Sequence, residues 1–234
     1  MARTVSLEEN ELSGVRPGSD MASLEAGMGR ERRVKGKGVK RAGENPGMST
    51  AGHRPGGEED LIRFAVGRTG LGWVLVAGTA RGLCVISLGD SRKALTDALM
   101  ARFGGREVSE GDPESVRWLR RVTASIASPR RGLELPLDIR GSAFQRKVWQ
   151  ELRRIPAGAT ASYGEIARRI GKPGSARAVA RACATNPLAL AVPCHRVVRS
   201  DGGLGGYRGG IERKRALLER EARSPTAGIG RVSA

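Results

Sequence analysis

The chain has little cysteine and no long apolar run, and each shortage excludes a class of protein. Its 234 residues include only three cysteines, too few for a disulfide framework, so we expect a reducing, cytoplasmic setting. No apolar stretch approaches the roughly 18 residues that a membrane-spanning helix needs, and residues 1–30 lack the apolar core of a signal peptide. We therefore expect a soluble protein without membrane contact.

Positive charge is what the chain has in excess. The formal net charge is +17 and the isoelectric point is about 11.2. A polyanion is the expected partner, because lysine and arginine side chains displace counterions from phosphates. The alternative is a basic surface with no such partner. The length suits one large domain or two small ones.

The pentapeptide Pro193–Val197 places a cysteine directly beside a histidine. Cys194 would be a strong nucleophile as a thiolate, and the imidazole of His195 could take its proton. Adjacent residues point to opposite faces of a strand and lie about 100° apart on a helix, so a bridging water is easier than direct contact. The alternative is an ordinary buried cysteine at the end of the apolar run 188–192.

The beginning of the chain predicts no packed structure. Residues 1–58 are rich in glycine, serine, proline and charge, which is typical of a disordered tail. Residues 30–41 form a basic segment within it that could hold DNA loosely, although such a run is more often a solvated arm.

From residue 61 the pattern changes to short apolar runs separated by glycines, which predicts a small domain of strands and helices. Three of the runs predict an antiparallel meander, and Cys84 lies in the third, where we assign it to the core. The predicted strands are 61–66, 73–77, 83–88 and 133–139, and the predicted helices are one beginning at Ser91 and one over 114–126.

The second half of the chain predicts three short helices. Two begin with capping boxes, formed by Ser142 with Gln145 and by Ser162 with Glu165, and the third runs over 175–185. The Gly-Lys-Pro-Gly link between the second and third is typical of a helix-turn-helix. The third helix alternates small residues with arginine, which suits close approach to a duplex. Plain helix packing is the alternative.

Several separated blocks within residues 141–222 carry a specific resemblance. They are Gly141–Gln145, Val148-Trp149, Ile155-Pro156, Ser162-Tyr163, Ile170–Pro173, Pro193–Val198, Gly206-Tyr207 and Lys214–Glu221. Together they resemble the O6-alkylguanine-DNA alkyltransferase family, including the alkyltransferase half of the bacterial adaptive-response protein. The resemblance implies an α+β fold. Its expected parts are a disordered basic tail (1–58), a ribonuclease-H-like α/β domain (59–139), a mainly helical, winged-helix-like alkyltransferase domain (140–223) and a flexible tail (224–234).

The resemblance implies a catalytic role for each residue that matches a family motif. Cys194 matches the alkyl acceptor, His195 the base that acts through water, and Glu221 the carboxylate that orients the imidazole. Asn186 matches the asparagine that ties the recognition helix to the reactive strand, and Tyr163 the tyrosine beside the extruded guanine. Without the resemblance, Glu221 would be interpreted as a surface ion pair and Tyr163 as packing.

The resemblance also implies the DNA contacts. The second helix of the helix-turn-helix enters the minor groove, and Arg177 fills the gap that an extruded nucleotide leaves in the base stack. Ala176, Arg181 and Tyr163 are the other expected DNA contacts. Taken alone, Arg177 would be a phosphate contact or a solvated charge.

The glycine-rich stretch Gly202–Gly210 predicts the active-site loop, because glycines let the backbone approach a ligand closely. It lacks the Gly-Lys-Ser/Thr ending of a phosphate-binding loop. The resemblance implies a guanine pocket that is walled by Val197, Tyr207, Arg208 and Gly209. Some bacterial members carry tryptophan in place of Gly209, and serine is common in place of Arg208. We expect the glycine to open the pocket and the arginine to crowd its mouth.

The sequence therefore predicts a DNA-repair protein that accepts an alkyl group on Cys194 in one turnover, without cofactor or metal. Its partner would be double-stranded DNA containing O6-alkylguanine, with O4-methylthymine as a minor substrate, and we expect a monomer. The adaptive-response protein has a cysteine-ligated zinc module, and residues 1–58 hold no cysteine to build one. The alternatives are a damage-binding alkyltransferase-like protein, a transcription regulator and a cysteine hydrolase.

Overall fold

The computed structural model describes residues 32–34, 61–129 and 132–223. One sheet contains five strands in the order β1-β5-β2-β3-β4. The strands are β1 (Arg32–Val34), β2 (Ile62–Thr69), β3 (Gly72–Thr79), β4 (Gly82–Gly89) and β5 (Val108–Glu110). β2, β3 and β4 pair antiparallel, which confirms the predicted meander, and β5 runs parallel to β2.

Strand β1 lies inside the tail that we predicted to be disordered. It pairs antiparallel with β5 through Arg32–Glu110 and Val34–Val108. A short edge strand such as β5 presents unpaired backbone groups that a neighbouring segment can satisfy, so the structure differs from the prediction at these three residues. The other residues of 1–58, and the predicted tail 224–234, lie outside the described residues.

Two helices cover opposite faces of the sheet. Helix α1 (Arg92–Arg102) has Ser91 as its N-cap, and the Ser91 hydroxyl accepts a hydrogen bond from the Ala94 amide. Helix α2 (Pro113–Ala127) has Asp112 as its N-cap. Leu99 of α1 packs in a cluster with residues of β2 to β5, whereas Trp118 of α2 packs in the cluster on the other face. The alternation of side chains along the strands supplies both apolar faces.

The strand predicted over 133–139 does not form. Its only ladder contact in the described part is a single parallel bridge between Leu83 and Leu137, with the Leu83 amide donating to the Pro136 carbonyl at 2.9 Å and the Asp138 amide donating to the Leu83 carbonyl at 2.8 Å. Pro136 has no amide hydrogen to continue a ladder. The prediction of a strand here is therefore wrong.

The second half is mainly helical, as predicted. Its helices are α3 (Ala143–Arg153), α4 (Tyr163–Arg169), α5 (Ala176–Ala184) and α6 (Ile211–Arg223), and a two-residue strand β6 (Ala161–Ser162) pairs in parallel with β7 (Val197–Val198). Both predicted capping boxes are present. On α5, Val179 and Cys183 are buried, whereas Ala176 and Ala180 are only half-buried. The Trp149 indole holds α3 to α5 by donating to the Ala182 carbonyl at 2.9 Å.

The helical half is joined to the edge of the sheet just before the predicted reactive residue. The Ile86 amide of β4 donates to the Pro187 carbonyl at 2.8 Å, and the Ala189 amide donates back to Ile86 at 3.1 Å. One apolar cluster continues from α2 through α3, α5 and α6. The fold is thus α+β, and within the described ranges no helix is long and apolar enough to cross a membrane.

Candidate active site

The backbone that leads into Cys194 is tightly turned and partly strained. Among the residues that the structure describes, Leu190 is the one non-glycine residue with a positive φ, at 70°. It centres a γ-turn in which the Ala191 amide donates to the carbonyl two residues before it at 2.9 Å, a rare and strained conformation. Pro193 (φ −78°, ψ 64°) centres an inverse γ-turn, closed by the Cys194 amide and the Val192 carbonyl at 2.8 Å.

Cys194 begins a single 3-10 turn, Cys194–Arg196. The resemblance led us to expect a reactive strand here; the structure instead has a turn, and β7 starts only at Val197. The residue is buried, with 8% of its surface exposed. The turn separates the side chains of Cys194 and His195, so a hydrogen bond between them is not what holds the sulfur.

Asn186 supplies the hydrogen bond to that sulfur. Its amide nitrogen donates to Sγ of Cys194 at 3.2 Å and to the Val192 carbonyl at 2.8 Å, while its Oδ1 accepts the Leu188 amide at 3.0 Å. Asn186 is itself buried. A single side chain thus fixes the strained segment and the sulfur at the same time.

His195 is anchored through one ring nitrogen. Its Nε2 lies 2.9 Å from Oε1 of Glu221, and both side chains are buried. The same carboxylate accepts from Arg196 Nη2 at 2.8 Å and from the Gly158 amide at 3.0 Å. Nδ1 of His195 is buried and has no hydrogen-bond partner among the described protein groups. This arrangement assigns the proton to Nε2 and leaves Nδ1 able to accept one.

Burial sets the protonation of the site. Burial raises the pKa of the Cys194 thiol, although the Asn186 hydrogen bond and the charge of Lys214 oppose that rise. Burial lowers the pKa of His195 more than Glu221 raises it. Burial alone would raise the pKa of Glu221, but the hydrogen bonds from His195 and from the neighbouring guanidinium lower it to about 2. The resting site therefore holds a neutral thiol, a neutral imidazole and a carboxylate.

Cys194 opens onto a pocket of about 400 Å³. All of its walls come from the helical half, and the lining residues are Tyr163, Ala180, Cys183, Ala184, Cys194, Gly206, Tyr207 and Arg208. The Tyr207 ring meets the His195 ring edge-on, with 6.5 Å between their centres. Burial raises the pKa of Tyr163, so its phenol is a hydrogen-bond donor at neutral pH.

The four predicted pocket residues are not all in this wall. Tyr207 and Arg208 line it, whereas Gly209 lines a second cavity of about 210 Å³ that also touches Cys194, Tyr207 and Arg208. Val197 is fully buried and lines neither cavity. Its carbonyl instead accepts from Nζ of Lys214 at 2.5 Å.

The helix pair α4–α5 presents a row of exposed cations. Arg177 and Arg181 both lie on the exposed face of α5, and Ala176 is the first residue of that helix. The exposed cations of this pair are Arg168, Arg169, Lys172, Arg177 and Arg181. Hydrogen bonds with Ser162 and, to a smaller extent, the nearby charges of Arg169 and Arg168 lower the pKa of Glu165. Exposed cations beside a buried cysteine suit a polyanionic ligand.

Sequence reasoning missed three cations that build the site. Arg196 pairs with Glu221, Lys214 donates to the carbonyls of Val197 and Leu204, and Arg213 contacts the sheet half. The sequence does carry a signal for Lys214. Lys214, Leu217 and Glu221 lie on one face of α6, so the two charged residues share the face of a core leucine. Lys214, Leu217 and Glu221 are all buried.

The fold and the site define an α+β protein with a buried, hydrogen-bonded cysteine beside a basic helix pair. A family model described as the DNA-binding domain of 6-O-methylguanine DNA methyltransferase matches residues 143–223. The inducible methylated-DNA–protein-cysteine methyltransferase of Bacillus subtilis is 37% identical over 152 residues, which are 64% of this chain and 84% of that protein. The chain therefore belongs to the methylated-DNA–protein-cysteine methyltransferase family.

Two further relatives show how far the similarity extends. The bifunctional transcriptional activator/DNA repair enzyme Ada of Escherichia coli is 50% identical over 167 residues, which are 71% of this chain but 47% of that protein. The chain thus spans about half the length of this relative. A Mycobacterium tuberculosis OGT solved in complex with DNA has a TM-score of 0.58 and 38% identity, and the match covers 70% of this chain and 96% of that one.

Proposed function

We propose that this protein repairs DNA by moving the alkyl group of O6-alkylguanine onto Sγ of its own Cys194, once per molecule. The observation that carries the proposal is the buried Cys194 sulfur, which is held by Asn186 at 3.2 Å and forms part of the wall of the 400 Å³ pocket. An alkylated base is already an activated donor, so the reaction needs no cofactor. O4-methylthymine, which carries the same kind of alkyl–oxygen bond, is the minor substrate.

The proposed step balances within the residues of the site. The Sγ proton of Cys194 passes through a water to Nδ1 of His195, and Glu221 stabilises the resulting imidazolium. The thiolate attacks the alkyl carbon, the new S–C bond forms as the C–O6 bond breaks, and the electron pair stays on the guanine. Proton donation from Tyr163, or from another donor at the pocket, lets guanine leave as a neutral base. A thioether is stable, so the protein is consumed.

Duplex DNA is the proposed partner, and the helix pair α4–α5 is its proposed binding site, used as a helix-turn-helix. Arg177 replaces the extruded base in the stack, Arg181 and Ala176 contact the duplex, and Tyr163 supports the extruded nucleotide. The support is the row of exposed cations on this face and the relative from M. tuberculosis that was solved with DNA. The proposed active form is a monomer.

The finer domain assignment is part of the same proposal. The sheet half, residues 59–139, corresponds to the ribonuclease-H-like domain of the family, and the helical half, residues 140–223, to a winged-helix-like alkyltransferase domain. The five-stranded sheet ends at Glu110, and within the described residues 140–223 the second half contains four α-helices and a single pair of two-residue strands, which supports this division. The three cysteines are free thiols, which supports the proposed reducing cytoplasmic setting.

Mass spectrometry of the intact protein and of its peptides tests the proposal. The protein is mixed with a duplex that carries one O6-methylguanine, and Cys194→Ala and Cys183→Ala serve as matched variants. We expect one added methyl group on the peptide containing Cys194, saturating at one per molecule, in the parent protein and in Cys183→Ala only. Tight binding to the duplex without a change in mass would instead favour the damage-binding alternative. A binding site confined to one promoter would favour the regulator.

A further inference from the structure

Arg213, in the first turn of α6, connects the wall of the 400 Å³ pocket to the sheet half of the molecule. Its Nη1 donates to the Gly209 carbonyl at 2.6 Å, and its Nε donates to the Leu71 carbonyl at 2.6 Å. Its Nη2 pairs with the carboxylate of Asp90. Leu71 belongs to the turn between β2 and β3, and Asp90 follows β4, so a single guanidinium joins two loops of the sheet half to the pocket.

The surroundings of Arg213 are shaped to receive a guanidinium. Its side chain is only 15% exposed, although Asp90 is 95% exposed. Gly72 has a φ of +93°, and a Cβ on it would stand 2.9 Å from Nη2 of Arg213 and 2.8 Å from the Gly89 carbonyl. Glycine therefore leaves the space that the guanidinium occupies. A lysine could not satisfy two carbonyls and a carboxylate in one plane, whereas the planar fork of arginine can.

Arg213 and the next residue hold the two ends of the same pocket segment. Lys214 donates from Nζ to the Leu204 carbonyl, and Arg213 holds the Gly209 carbonyl. Tyr207 lies between these two points, lines the pocket beside Cys194 and meets the His195 ring. The position of Tyr207 relative to the sulfur thus depends on both cations, and one of the two is anchored outside the helical half.

We propose that Arg213 is a positioning residue of the alkyl-transfer site, through which the sheet half fixes the 204–209 wall against Cys194. This inference rests on the proposed function. The sheet half carries none of the reacting groups. It holds the segment before Cys194 through Ile86, and the hydrogen bonds of Arg213 connect it to the 204–209 wall. Loosening the wall changes the geometry of the bound alkyl group, and a displacement of about 1 Å in a reacting pair can slow a reaction by roughly a hundredfold.

The test compares Arg213→Ala with Arg215→Ala, which removes an exposed arginine from the same helix. Arg215 pairs with Glu212 and is not among the residues that line the pocket. For each protein we would measure the maximum rate of methyl transfer to Cys194 and the affinity for the same duplex. We expect Arg213→Ala to lower the maximum rate by at least about tenfold and to leave DNA affinity unchanged. Arg213→Lys should stay slow, and added methylguanidinium should restore part of the rate of Arg213→Ala.

Amide hydrogen exchange separates positioning from loss of stability and does not depend on alkyl transfer. We expect faster exchange in Arg213→Ala to be confined to residues 203–210 and to the two sheet loops that Arg213 contacts, at Leu71 and at Asp90. A rate equal to that of Arg215→Ala, or an equal increase of exchange throughout the sheet and helices, would overturn the proposal. If the parent protein itself transfers no methyl group, the proposed function fails. Faster exchange at 203–210 in Arg213→Ala would then still show that Arg213 holds this loop in place.

Discussion

Replacing Glu221 by glutamine should destabilise the protein strongly at neutral pH. The carboxylate is 2% exposed and accepts from His195, from the Gly158 amide and from the guanidinium of Arg196. Every one of these groups is a donor, so the amide nitrogen of a glutamine would face another donor. The Arg196 charge would also lose its counter-charge. Removing one partner of a buried ion pair costs about 3–5 kcal/mol, a large share of the roughly 5–15 kcal/mol that stabilises a typical domain.

The pH dependence gives a second estimate of the same quantity. The pKa of Glu221 is lowered from 4.5 to about 2 in the folded protein. A carboxyl group with a depressed pKa stabilises the fold above its unfolded pKa, and this stabilisation is lost as the pH falls through the folded value. At about 1.4 kcal/mol per pH unit, the contribution is about 3 kcal/mol. The deficit of Glu221→Gln should therefore be full above about pH 5 and shrink between pH 4.5 and 2.

Urea unfolding followed by circular dichroism would measure both effects. Glu219→Gln is the matched control, because Glu219 lies on the same helix and its contact with Arg223 is long and exposed, at 3.4 Å. We expect Glu219→Gln to unfold like the parent protein and Glu221→Gln to lose about 3 kcal/mol at pH 7. A loss for Glu221→Gln no larger than that of the control, or a deficit that stays constant down to pH 2, would refute the reasoning.

Three further outcomes follow from the site. Lys214→Met should raise the pKa of Cys194 further, since the lysine charge lowers it, and should slow transfer at pH 7; a pH–rate profile that does not move upward would contradict this. Arg177→Ala should weaken duplex binding and reduce the salt dependence of binding by about one counterion, as measured by anisotropy titrations at several salt concentrations. Burial raises the pKa of Cys183 to about 12, so iodoacetamide at pH 7 should leave Cys183 unlabelled in peptide maps.

The helices and the meander were predictable because their signals are local. Ser142 and Ser162 each precede a side chain that completes a capping box, and the glycines between the strands mark the turns of the sheet. The failed strand at 133–139 shows the limit of such signals. Its apolar residues are typical of a strand, but a strand also needs a neighbouring strand with which to pair. Pro136 has no amide hydrogen, so the pairing with β4 is limited to the single bridge between Leu83 and Leu137.

The chemistry of the site was only partly predictable for a different reason. Cys194 and His195 are adjacent in sequence, so the pair is visible at once. The contacts that give the pair its properties come from 8 residues away at Asn186 and from 26 residues away at Glu221. Their burial, which shifts the pKa values of Cys194 and His195, is a property of the packed halves. The guanidinium of Arg213 bridges 142 residues to Leu71, a pairing that no local pattern encodes.

The two γ-turns before Cys194 also restrict where new termini or insertions can be introduced into this chain. The residues from Asn186 to Cys194 could span roughly 26–29 Å if extended, yet the side chains at the two ends meet at 3.2 Å. New termini or an inserted reporter within this closed segment would separate the sulfur from its hydrogen-bond donor. The exposed turn at Gly104-Gly105, where a Cβ on Gly105 would meet nothing within 4 Å, is the better place for a circular permutation or a fused domain.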